Sequence, residues 1–231
     1  MSQLKRLHLG CGPRYLFGYI HVDAQKYPHV DIVQDITQDM SHLFTPGSID
    51  EIYACHVLEH IPRSEVVTTL CHWHHLLKIG GKLRLAVPDF EAIVKIYQHD
   101  PFSLHDKLLG LLYGGQRDKY DYHTMTYDFA NLKRLLEQVG FDDVERYNWQ
   151  NFLPEDYDDY SRCYLPYNDI TNGELMSLNV VATKVGPPLL EDKHLLTTIT
   201  KKLHFVAAKY IQDKEEGVKD FVDVTKDVSK Q

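Results

Sequence analysis

The sequence predicts an α/β fold, a mainly parallel sheet with helices on both faces, and three observations predict it. Short apolar runs stop repeatedly at glycine or a carboxylate, longer segments carry apolar residues at helical spacing, and the two kinds alternate along the chain. Such alternation marks strand, helix, strand units whose strands lie parallel.

The first run, LKRLHLGCG, carries Leu4, Leu7 and Leu9 and ends at a glycine turn. YIHVDA ends at Asp23, VDIVQDI ends near Asp35, SIDEIYACH follows the Pro46-Gly47 turn, and KLRLAVPDF follows Gly80-Gly81. Between the last two, Val66, Val67, Leu70, Trp73, Leu76 and Leu77 define a helix that opens at Ser64 and stops at the glycine pair. A second helix places Phe129, Leu132, Leu135, Leu136 and Val139 on one face. DDVERYNW and LMSLNVVATKV add two strands that close a seven-stranded sheet at a hairpin-like edge. Only nine residues, Cys11 to Tyr19, join the first two strands, so any helix there is very short.

Residues 1–185 read as one domain, and 186–231, beyond Pro187-Pro188, as a charge-mixed helical extension. Phe221, Val224 and Val228 give that extension a weakly amphipathic face, open to packing on its own domain or to a homodimer contact. At 231 residues and 43% hydrophobic, the chain can bury one sizeable core. A formal charge of -8 supplies no general attraction to phosphate backbones, so nucleic acid is not the expected partner. Cys11, Cys55, Cys71 and Cys163 are scattered without a C-x-x-C pair, which fits a reducing compartment. With no signal-peptide pattern and no long apolar window, a soluble cytoplasmic protein is expected.

Ligands of open α/β sheets bind outside the carboxyl ends of the strands, where the strand order reverses. Gly10-Cys11-Gly12 ends the first strand, where missing side chains let a ligand approach the backbone. Asp23 ends the second and is placed to accept from a ribose diol, while Asp35 beside Ile36 offers an acceptor and an apolar wall for a base. Together they describe a nucleoside with a charged tail. A full G-x-G-x-x-G needs glycine at position 15, where this chain has Tyr15, which disfavours a dinucleotide and a nucleotide-dependent oxidoreductase.

LHLGCGPR, HVDA, QDIT, SIDEIYACHVLEHI, LLKIGGKLRLAVPD and LKRLLEQVGF resemble, in order and spacing, the class I S-adenosylmethionine-dependent methyltransferases. The closer likeness is to the small bacterial branch associated with polysaccharide and sugar methylation, and it covers roughly residues 4 to 185. The resemblance implies a Rossmann-like fold and S-adenosylmethionine as cofactor. It implies Gly10 and Gly12 at the methionine end, Asp23 on the ribose, Asp35 and Ile36 flanking adenine, and His56 beneath the methionine portion. His8 departs from it, standing where the family usually has an acid, and leaves open how the cofactor's amino group is met.

Methyl transfer to a hydroxyl needs a base, and two candidates stand out: Asp89 at the end of the fifth strand, and His123 in the polar loop YGGQRDKYDYHTM. The segment LPEDYDDYSRCYLPYND, dense in Tyr and Asp, suits a sugar or other small polar acceptor, a glycan included. A small-molecule amine or carboxylate acceptor, or a non-catalytic module of the same fold, are the alternatives. His56-Val57-Leu58-Glu59-His60 also matches the H-x-x-E-H metalloprotease motif. That motif needs a helix, whereas here a strand end precedes it and Pro62 follows, so no metal is expected and Glu59 and His60 read as loop-orienting or capping residues.

Overall fold

The computed structural model describes residues 4–186, so the expected C-terminal extension and its dimer contact lie outside the described residues. Strands β1 (Arg6–Leu9), β2 (Ile20–Asp23), β3 (Ile32–Val33), β4 (Ile49–Cys55), β5 (Leu77–Pro88), β6 (Phe141–Arg146) and β9 (Ser177–Lys184) build one seven-stranded sheet of order β3-β2-β1-β4-β5-β9-β6. All neighbours from β3 through β5 are parallel, and β9 runs antiparallel to both β5 and β6. The sheet is therefore mainly parallel, Rossmann-like, with its order reversing between β1 and β4. Strands β7 (Tyr164–Leu165) and β8 (Glu174–Leu175) form a separate small ribbon.

Alternation along the strands divides the core in two. Leu7, Leu9, Ile52 and Ala54 point to one face, where Leu70 and Trp73 of α1 (Val66–Leu76) and Leu132 and Leu136 of α4 (Phe129–Gln138) cover them. Full burial of each such side chain stabilises by about 1.5–3 kcal/mol. Trp73 also donates its indole hydrogen to the Ile36 carbonyl at 2.9 Å. Tyr53 and Cys55 point to the other face, into an aromatic cluster with Leu16, Tyr19, Trp149, Leu153 and Tyr157. Short 3-10 turns at Trp149–Asn151 and Tyr160–Arg162 lie along that segment. Helices α2 (Phe90–His99) and α3 (Leu109–Tyr113) share a third cluster through Ile93 and Leu111, with Leu108 just ahead of α3 and Met176 just ahead of β9.

Three local expectations change. The segment between β1 and β2 holds turns and no helix, and segment 24–31 joins β2 to β3 with none either. Helix α1 ends at Leu76, ahead of the glycine pair, because Leu77 already pairs with Ile49; residues 78–81 then bulge before Lys82 pairs with Glu51. Ser64 does not cap α1, whose N-cap is Glu65 without a side-chain bond. Among the described residues, no helix is long and apolar enough to cross a membrane.

Lys184, 3% exposed at the end of β9, donates to the carbonyls of His74 and Leu77 at 2.7 Å each and closes the carboxyl end of α1. Lys184→Met is expected to cost about 1–3 kcal/mol by leaving buried carbonyls unpaired, read as a lower urea midpoint.

Candidate functional site

A cleft of about 390 Å³ opens over the carboxyl ends of β1 and β4, where the strand order reverses. Its floor is the turn Gly10-Cys11-Gly12 with Arg14, and His56 stands beside it at the end of β4. Gly10 and Gly12 adopt φ of +62° and +53°. A side chain on Gly10 would place its Cβ 2.5 Å from Val57, whereas the space beside Gly12 is free to 4 Å. Two irregular segments form the roof: Arg117, Tyr120 and Asp121 from the loop after α3, and Tyr157, Asp159 and Tyr160 from the aromatic segment.

Asp23 sits buried at the end of β2 and accepts from the backbone N–H of Gly12 at 2.8 Å and of Gln25 at 2.7 Å. It fixes the glycine turn, and its neighbours Gln25 and Tyr27 reach the cleft wall. Asp35 is exposed and accepts from the amide and hydroxyl of Thr37, while Ile36 is buried in the main core. Asp23, Asp35 and Ile36 are not among the residues lining the cleft, although Gly12 and Gln25, which Asp23 holds, are.

His8 lines the cleft, 2% exposed, and its Nδ1 has no hydrogen-bond partner. Burial, reinforced by His21, His29 and Arg14, lowers its pKa to about 3, so the ring is neutral and can accept. The buried Tyr157 hydroxyl, also at the cleft wall, is likewise unpartnered. Cys11 is held as a thiol, its pKa raised to about 12 by burial and the nearby Asp23. Asp159 is buried and spoken for: Tyr53 donates to it at 2.5 Å, and the Ser161 hydroxyl and amide at 2.5 and 2.9 Å.

Past β4 the chain turns sharply. His56 holds φ of +52°, unusual for a residue with a side chain, and its Nε2 lies 3.2 Å from the Ser177 hydroxyl. Burial, then the neighbouring His123, His60 and Arg14, lowers its pKa to about 3. The 3-10 turn Leu58–His60 follows and aims Glu59 inward, 0% exposed. Glu59 caps no helix, contrary to the sequence expectation: neither carboxylate oxygen has a hydrogen-bond partner, and burial raises its pKa to about 8.

The loop carrying His123 is stapled to this turn. Thr124 and Met125 donate their amides to the Glu59 carbonyl at 2.7 and 3.1 Å, and the Thr124 hydroxyl donates to the Ile61 carbonyl at 2.7 Å. His123 thereby meets His60 edge-on, ring centroids 4.6 Å apart, behind the cleft wall that His60 lines. Asp89 lies elsewhere, in a shallower depression, capping α2 through the Glu91 amide at 3.0 Å and accepting from Arg146 at 2.9 Å. The sequence brought forward the turn and both roof segments. It did not single out Arg14, Gln25 or Tyr27, which reach the cleft through tertiary folding.

No protein-family model and no curated protein sequence matches the chain. Among solved structures it is similar to the CurJ carbon methyltransferase, 18% identical with a TM-score of 0.47, over 80% of this chain and 49% of that one. It spans about half the length of that protein. It is also similar to a SAM-dependent methyltransferase from Archaeoglobus fulgidus, 16% identical with a TM-score of 0.47, over 78% of this chain and 86% of that one. A third is the Burkholderia thailandensis 1,6-didemethyltoxoflavin-N1-methyltransferase, 15% identical with a TM-score of 0.48, over 78% of this chain and 71% of that one. These likenesses are distant. The functional reading rests on the residues of the cleft.

Gly114 ends α3 at φ of +76°, and a Cβ there would overlap the Asp121 carbonyl. Gly114→Ala is expected to cost about 1–3 kcal/mol in chemical denaturation and to shift the imidazole NMR signal of His123 as its loop is displaced.

Proposed function

We propose that the chain is an S-adenosylmethionine-dependent methyltransferase acting on a small polar acceptor, foremost a hydroxyl of a sugar, nucleotide-sugar or glycan. The observation that carries the reading is the open glycine turn at the strand-order reversal, walled by two buried, unpartnered polar atoms, His8 Nδ1 and Tyr157 Oη. Buried polar groups are normally paired, so a ligand bearing donors and acceptors suits this wall.

The residues fit the cofactor in three places. Arg14, whose guanidinium packs over the Tyr160 ring at 5.0 Å, meets the carboxylate of the methionine tail. Neutral His8 accepts from the amino group, doing by hydrogen bond what an acid does elsewhere in the family. Asp23 does not itself line the cleft but holds Gly12 and Gln25, which do, at the nucleoside end, and the ribose diol is assigned to it. Tyr27 and Gln25 serve the base better than Asp35 and Ile36, which do not line the cleft.

When bound, S-adenosylmethionine supplies an electrophilic methyl on sulfur. The chain's part is to align the acceptor oxygen with that carbon and to promote loss of the hydroxyl proton. Tyr120, Tyr160 and Asp118 give the acceptor flat faces and hydrogen-bond acceptors. Asp89 is committed to α2 and Arg146, and His123 lies behind His60 without lining the cleft, so neither is placed to take the acceptor's proton directly.

Calorimetry with S-adenosylmethionine, followed by a methyl-transfer screen over sugar nucleotides, tests the reading. Wild type is expected to bind, and Asp23→Ala and Arg14→Met to bind at least roughly tenfold more weakly, in line with charged hydrogen bonds of about 1.5–3 kcal/mol. Binding by Asp23→Ala as tight as wild type would remove the ribose assignment, and no binding by wild type would remove the function.

A further inference from the structure

The motif His56-x-x-Glu59-His60 gains a tertiary partner that its sequence spacing lacks. His60 Nδ1 lies 3.1 Å from the Tyr122 carbonyl, and His123 Nδ1 lies 2.9 Å from the Leu111 carbonyl. A carbonyl can only accept, so each Nδ1 carries the hydrogen and each Nε2 is left with a bare lone pair. Both Nε2 atoms stand 4.0 Å from Glu59 Oε1, and the three atoms lie within 4.8 Å of one another. Two ring lone pairs thus converge on a fully buried carboxylate oxygen, with no hydrogen between the three atoms. The nearest polar atom, His56 Nδ1 at 3.3 Å from Oε1, makes no hydrogen bond with it, so both carboxylate oxygens are left without a partner. A cation resolves the arrangement.

We propose that Glu59, His60 and His123 bind one divalent cation of the zinc class. Two imidazoles and a carboxylate suit zinc and its first-row neighbours better than magnesium or calcium, which prefer all-oxygen shells. A ligating histidine usually donates its other ring hydrogen to a backbone carbonyl or carboxylate, and both histidines do so here. Tetrahedral zinc holds its ligand atoms about 3.4 Å apart, so the ring nitrogens close on the carboxylate by roughly half an ångström. Three protein ligands leave a fourth position, and since His60 lines the cleft, that position faces it. His56 Nδ1, 3.3 Å from Glu59 Oε1, flanks the same oxygen.

The role assigned to the cation rests on the methyltransferase reading. Bound in the open position, the acceptor hydroxyl becomes more acidic and releases its proton to water in the cleft. The oxygen lone pair then forms the O–CH3 bond as the S–CH3 bond breaks, and that bonding pair remains on sulfur.

The test uses the full chain, stripped with EDTA and dialysed against zinc or cobalt(II). Wild type is expected to retain one equivalent of zinc, to gain thermal midpoint on loading, and to show visible d–d absorption with cobalt. His123→Ala and the near-isosteric Glu59→Gln are expected to lose binding by about 100-fold or more, beyond the 10–100-fold seen for outer-shell changes. The double variant His72→Ala, His75→Ala, which removes two histidines of α1, should bind like wild type. Zinc retention by His123→Ala and by a second variant, His60→Ala, equal to wild type would overturn the site, as would a wild type that retains none. S-adenosylmethionine affinity, measured on the same samples, separates the two readings: zinc without cofactor binding keeps the site and removes the methyltransferase, and cofactor without zinc does the reverse.

Discussion

Ten residues between two parallel strands are the constraint from which the rest of this architecture follows. A parallel crossover normally carries a helix that covers the sheet, and the segment from Gly10 to Tyr19 is too short to supply one. The chain reverses instead on left-handed glycines at 10, 12 and 18. One face of β1 and β4 is consequently left to be covered from far away in sequence. Tyr53, His8 and Tyr19 fill it with rings, and the segment around Trp149 and Tyr157 closes over them. The cover is aromatic and partly polar, which explains how Asp159 comes to be buried beneath Tyr53 and how polar groups line a cleft in a position where a helix would have packed leucines.

The opposite face follows ordinary rules. Apolar residues of α1 and α4 meet alternate strand positions, and the core is continuous. The two faces meet at the end of β4, where His56 takes a left-handed conformation and the next turn drives Glu59 into the interior. A buried carboxylate there is costly, and the loop from Tyr122 to Met125 is held against it by backbone bonds to Glu59 and Ile61. That loop reaches the turn because Gly114 permits a tight reversal after α3. The histidine cluster is thus a product of one strained strand end and one tethered loop.

Much of the fold was legible because strands and helices announce themselves by period. The seven sheet strands fall on the segments expected as strands, although β6 is a charged stretch with only Phe141 and Val144 apolar, and α4 begins at the Asp128 cap just before its apolar stripe. The end of α1 was misplaced because Leu77 fits a helical pattern and a strand alike, and pairing with Ile49 decides it. Asp35 and Ile36 sit in the stretch expected to face adenine, yet a local hydrogen-bonded turn claims one and the core claims the other. Asp89 stands at a strand end as a catalytic base would, but it serves as a helix cap with an arginine partner. The H-x-x-E-H pattern was set aside for want of helical geometry, and its third member, His123, lies far along the chain, where spacing alone does not reach.

The cleft's floor and roof draw on different parts of the molecule. The floor is made by strand ends locked into the sheet, whereas Tyr120, Tyr160 and Arg117 of the roof are exposed. Exchange of an exposed side chain changes folding free energy by a few tenths of a kcal/mol, about ±0.5, while altering directly what a ligand touches. Ligand preference can therefore drift by surface substitutions that leave the sheet and the glycine turn undisturbed, so the roof is the part of the cleft that changes at least cost in stability.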